Sequence, residues 1–169
     1  MAEAGILHED DRVELIEGKI IQMAAVGSRH AACVKRLIKF LVREVGDSGV
    51  VGAQDPVVLP DSSEPEPDVA VLRPRDDFYA AGHPVPEDVL LLIEVSDTSL
   101  EYDRDVKVPL YARAGISEVW IVDLVNEKIH AYSRPTDESY RDTRSLGRDD
   151  SVSLQALPDL VVSVENVLS

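Results

Sequence analysis

Two stretches of the chain, 68–73 (DVAVLR) and 89–95 (VLLLIEV), are apolar at nearly every position, and each carries a carboxylate near one end, Asp68 and Glu94. A strand with one wet face alternates polar and apolar residues, whereas a run without alternation is covered on both faces. Both stretches are therefore expected in the middle of a sheet with helices above and below. A third run, 118–122 (EVWIV), belongs to the same sheet. With 169 residues the chain is long enough for one domain, 1–169, with a proper core.

The remaining elements follow from turn and helix signals. Residues 13–16 and 19–23 flank Glu17-Gly18, a two-residue turn that reads as an N-terminal β-hairpin. Ser28 is placed to cap a helix over 29–45, in which Val34, Leu37, Ile38, Leu41, Val42 and Val45 form an apolar stripe. The region 50–59 reads as a strand interrupted by Pro56, and 74–88 as a surface loop. Thr98 or Ser99 opens a second helix reaching Ala114, and Pro109 inside it means that the helix either kinks there or begins only a turn earlier. Residues 128–132 close a hairpin after a turn at Val125-Asn126, and 135–150 read as a polar, acidic loop. A strand at 151–154 and a short helix capped by Ser163 end the pattern. The strand–helix–strand unit at 89–123 predicts a crossover within one sheet. The fold class is thus α/β, a mixed central sheet flanked by helices.

Composition narrows the setting. Cys33 is the only cysteine, so no intrachain disulfide forms, as suits the reducing cytoplasm. No apolar run is long enough to span a membrane, and MAEAGILHEDD has neither the basic start nor the apolar core of an export signal. A cytoplasmic protein is expected. Its formal net charge of −15 repels nucleic acid at long range, so contact with phosphates needs local basic groups or bound cations.

If 68–73 and 89–95 pair antiparallel, the start of the first lies beside the end of the second. Asp68, Ala70 and Leu72 then share one face with Leu90, Leu92 and Glu94. A carboxylate at the end of such an apolar strand is costly to desolvate without a partner. Two together repel, and a divalent cation relieves both; all-oxygen ligation suits Mg²⁺ or Mn²⁺. Such a cation polarises a phosphoryl oxygen and activates water, and a lysine nearby can neutralise charge growing on phosphorus. Lys107, near the start of the following helix, is placed to swing over the strand ends.

The residues now resemble a family. Glu66-Pro67-Asp68 followed by Glu94-Val95-Ser96 is similar to the signature of the PD-(D/E)XK nuclease superfamily. VELIEG, EPDVAVL and IEVSDTSLEYDRDVKVPLYARAGISEVWIVD together resemble the Uma-type family of restriction-endonuclease-like proteins over roughly residues 12–134. The parent signature has lysine where this chain has Ser96. In the Uma-type pattern a lysine on the next helix takes its place, and Lys107 occupies it. The resemblance implies a restriction-endonuclease-like core, metal binding by Asp68 and Glu94, and Lys107 as the catalytic cation. It adds Glu14 as a further candidate ligand and His30 as a candidate substrate contact.

Plainer readings stand beside these. Asp68 could be a strand-start residue, and an ion pair of Glu94 with Lys107 would explain both. The spacing of the whole set favours a metal site. Cys33 and Trp120 read as core, Asp97 and Asp123 as turn residues, and Asp103 and Asp105 as acids opening a helix. Lys35, Arg36 and Lys39, with Arg29 and Arg43, form the most basic stretch, a solvated face or a set of phosphate contacts. The reading is a Mg²⁺- or Mn²⁺-dependent endonuclease acting on DNA. RNA or another phosphodiester is the alternative substrate, and a catalytically silent binding or assembly module the alternative function. Double-strand cleavage would call for a homodimer, and any sequence specificity is expected in loops 60–66 and 74–88 or in a partner.

Overall fold

The computed structural model describes residues 12–169; the N-terminal segment read above for an export signal lies outside the described residues. β1 (Val13–Ile16) and β2 (Lys19–Gln22) form the expected hairpin. Glu17 and Gly18 both take positive φ, 49° and 75°, the type I′ pattern whose twist matches the flanking strands. The hairpin leans on the segment before the first central strand, through paired backbone bonds between Leu15 and Glu64 and a bond from the Glu17 N–H to Ser63 Oγ. Alternation along β1 buries Glu14 and Ile16 together.

The main sheet has six strands in the order β3 (Val50–Gly52), β4 (Val69–Leu72), β5 (Val89–Ser96), β6 (Glu118–Asp123), β7 (Lys128–Pro135) and β8 (Tyr140–Leu146). Only β5 and β6 are parallel, so a crossover must join them. β4 and β5 are buried along their whole lengths, as their unbroken apolar runs require. One face carries α1 (Ser28–Val45), whose Cys33, Val34, Leu37 and Leu41 pack with Val71, Ile93, Val95 and Trp120. The other carries the crossover, whose Leu110, Tyr111 and Ala112 pack with Ala70, Leu92, Val119 and Ile121. A separate hairpin, β9 (Ser151–Leu154) and β10 (Leu157–Ser163), leads into α4 (Val164–Leu168) and covers the α1 side.

Several expectations are corrected. The strand after α1 stops at Gly52, just before Gln54 turns the backbone to a positive φ of 57°, and 53–68 crosses in irregular turns. Residues 140–146 are a strand, not a loop. β8 is an edge strand whose side chains are largely solvated, so its composition imitates a loop. β10 was not visible in the sequence. Val42 is exposed, and Gly27 rather than Ser28 caps α1. A bulge between β4 and β5 inserts one residue and turns Leu90 onto the α1 face, away from Leu92.

The crossover is three pieces: α2 (Leu100–Tyr102), a π-turn (Asp103–Lys107) and α3 (Val108–Arg113). Pro109 has no N–H for the carbonyl four residues back, and the turn just before it is widened into a π-turn. The N–H of Val108 donates to Asp103 O, five residues back.

Candidate active site

Val69 pairs with Ile93, so Asp68 lies beside Glu94 where β4 begins and β5 ends, the adjacency expected of an antiparallel pair. Both strands are interior, so the acids stand at one end of the sheet's central strands rather than on its lateral edge. Around them is a cavity of about 280 Å³. The hairpin supplies Glu14, α1 supplies His30, the segment before β4 supplies Glu66 and Asp68, and the crossover supplies Asp103 and Lys107. Among the described residues six carboxylates line it, with Arg12, Lys107 and His30 the basic groups.

Lys107 is 4% exposed and sits between two acids, its Nζ 3.0 Å from Glu14 Oε2 and 3.2 Å from Glu94 Oε1. Burial opposes its charge, but Glu94, Glu14 and Asp103 outweigh it and hold the lysine above its ordinary pKa. Tyr111 donates to Glu94 Oε1 at 2.6 Å. Glu94 Oε2 takes no hydrogen bond from any described residue. Burial pushes Glu94 up to about 8 despite Lys107, with Asp103 and Asp68 adding repulsion.

Asp68 is fixed through Oδ2, which accepts from the Val95 N–H at 2.8 Å and contacts His30 Nε2 at 3.0 Å. Its Oδ1 meets only Gln54 Nε2, at 3.5 Å. The bond to Asp68 raises the pKa of His30, burial opposing it. Glu14 has both oxygens engaged, Oε1 by the Tyr102 hydroxyl at 3.1 Å and Oε2 by Lys107 and the Glu66 N–H.

The structure therefore brings Asp68, Glu94, Lys107, Glu14 and His30 into one cavity. Lys35 and Lys39 remain exposed on α1 and do not line it. Arg36 binds the carbonyls of Val167 and Leu168, fastening α4. Of the two loops expected to carry specificity, the first reaches the cavity through Glu66. The second joins the opposite ends of β4 and β5, where Arg73 N–H meets Asp88 O.

Asp103 was read as a helix-opening acid and is instead a member of the cavity. It is 4% exposed, and its Oδ2 accepts from Ser96 Oγ at 2.7 Å and Ser99 Oγ at 2.6 Å. Burial raises its pKa, with Lys107 and the two hydroxyls opposing. The sequence signal was the Ser96, Ser99, Asp103 spacing, two hydroxyls that one acid a turn later can collect.

A mixed sheet whose central strands end in two acids, with a lysine returned by the crossover, is a restriction-endonuclease-like fold. The Uma2 family, described as "Putative restriction endonuclease", matches residues 2–165, and the chain belongs to that family. Its fold is similar to a crystal structure described as a putative nuclease belonging to DUF820, from Anabaena variabilis ATCC 29413. The TM-score is 0.75 at 17% identity, covering 98% of this chain and 94% of the other. A comparison with curated proteins finds no match. No helix among the described residues is long and apolar enough to cross a membrane.

Proposed function

We propose that the chain is a divalent-cation-dependent nuclease that hydrolyses phosphodiester bonds in DNA. The observation that carries this is a buried carboxylate, Glu94, with one oxygen held by Lys107 and Tyr111 and the other left for a ligand in an acidic cavity.

The donors fit a hard cation. Asp68 Oδ1 and Glu94 Oε2 are oxygens, which suits Mg²⁺ or Mn²⁺ rather than a thiophilic ion. Among the described residues no three His, Cys, Asp or Glu side chains gather as a ready-made ion site. A cation held by Asp68 and Glu94 would therefore complete its shell with water, as Mg²⁺ commonly does. When bound it would supply a polarised phosphoryl oxygen and an activated water.

The protein's own groups do the rest. Val95 and His30 orient Asp68, and Tyr111 and Lys107 orient Glu94. Lys107, kept protonated by its acids, offers positive charge to the phosphoryl oxygens as negative charge builds on them. Lys35 and Lys39 would contact the backbone outside the cavity, and a homodimer would place two such sites on one duplex.

The net charge of −15 favours a second reading, a catalytically silent binding or assembly module. The test is nicking of supercoiled DNA at low salt with Mg²⁺ or Mn²⁺, comparing wild type with Asp68→Asn, Glu94→Gln and Lys107→Met. Cation-dependent nicking lost in all three supports the nuclease. Cleavage of RNA alone moves the substrate, and no cleavage by folded protein leaves the binding module.

A further inference from the structure

The four buried acids of the cavity differ in which oxygens are already in use. Glu14 is saturated: Oε1 is taken by Tyr102, and Oε2 by Lys107 and the Glu66 N–H. Among the described residues Glu94 and Asp103 are each held by one oxygen only, and Asp68 Oδ1 meets only Gln54 Nε2, at 3.5 Å. Tight bonds fix Asp68 Oδ2, Glu94 Oε1 and Asp103 Oδ2. Among the described residues nothing donates to Asp103 Oδ1, although the residue is 4% exposed and faces the cavity. Two serine hydroxyls on one carboxylate oxygen leave the second open to the cavity, free to accept from whatever the cavity holds. The π-turn that carries Asp103 is itself a local rearrangement of the kind that accompanies functional sites.

We propose that Asp103 accepts hydrogen bonds from the hydration shell of the cation held by Asp68 and Glu94, and that Glu14 serves as the counter-ion of Lys107 and does not ligate the cation. This rests on the nuclease reading's cation site and divides the cavity in two. On one side lie Asp68, Glu94 Oε2 and Asp103. On the other lie Glu14, Tyr102 and Lys107. Asp103 is a positioning residue, acting through water because among the described residues no three acids gather around one point. Partners at this remove typically change metal affinity by about 10–100-fold.

The experiment is calorimetric titration of the full chain with Mn²⁺ at fixed pH. The variants are Asp68→Asn, Asp103→Asn, Asp103→Glu, Ser99→Ala and Glu14→Gln, each with its melting temperature without cation. Asp68→Asn should abolish binding. Asp103→Asn, which keeps an acceptor for both serines, should weaken it about tenfold, and Asp103→Glu should restore part of the loss. Ser99→Ala, which keeps the charge and frees one hydroxyl's hold, should weaken it less. Glu14→Gln should stay near wild type. Wild-type affinity in both Asp103→Asn and Ser99→Ala, with only the melting temperature lowered, overturns the inference and leaves the nuclease site intact. Loss in Glu14→Gln equal to that in Asp68→Asn overturns the division of the cavity. No Mn²⁺ binding by wild type overturns the nuclease reading and this one together.

Discussion

Glu94 and Glu118 are both 2% exposed, on neighbouring parallel strands, and burial pushes both carboxyls upward. Around Glu118 the protein has finished the work. Trp120 Nε1 donates to one oxygen and the Gln155 N–H to the other, each at 2.8 Å, so this acid pins the β9–β10 hairpin to the sheet. Around Glu94 it has not, because among the described residues only Oε1 is occupied, and Glu94 lines the cavity. Exposure is equal and saturation is not. A buried acid with both oxygens paired within the fold is structural, and one left half-paired beside a cavity is available for chemistry.

The largest effect expected from breaking this comparison is on activity. Glu94→Gln should reduce cation-dependent nicking by about 10²-fold or more, whereas Glu118→Gln should retain it; a plasmid assay on both variants decides. Next comes stability. Lys107→Ala leaves Glu14 and Glu94 buried without their shared cation, and should cost about 3–5 kcal/mol in urea unfolding. Glu118→Ala strands the Trp120 and Gln155 donors and should cost about 2 kcal/mol, with Mn²⁺ affinity unchanged. A Glu118→Ala that lost Mn²⁺ affinity would remove the distinction between the two acids.

The smallest effect concerns pH. With its pKa raised from 4.5 to about 8, native Glu94 binds a proton that the unfolded chain releases. Its contribution is full below about pH 4.5 and is lost as pH rises through about 8. The exposed acids whose pKa values are lowered, Asp77 and Asp142 among them, are already ionised across that window. The melting temperature of the cation-free protein should therefore fall between pH 5 and 8, and Glu94→Gln should flatten that slope. An unchanged slope in Glu94→Gln would place the titrating group elsewhere.

Much of the frame was legible along the chain because its causes are local. Unbroken apolar runs mark strands covered on both faces, and Glu17-Gly18 marks a I′ turn. Antiparallel pairing then puts Asp68 beside Glu94 by register alone. β8 and β10 escaped because solvated or irregular strands carry little alternation, and Leu90 escaped because a bulge shifts the period by one.

The sequence by itself determined the central strands, the two acids at their meeting point and the lysine that returns to them. Tertiary structure alone decided which of the acids have an oxygen to spare. Glu14 is closed off by Tyr102, 88 residues away in sequence, and by Lys107, while Asp103 is turned inward by a π-turn and held by two serines. Hydrogen-bond saturation depends on partners brought from distant parts of the chain, and no local period records who they are.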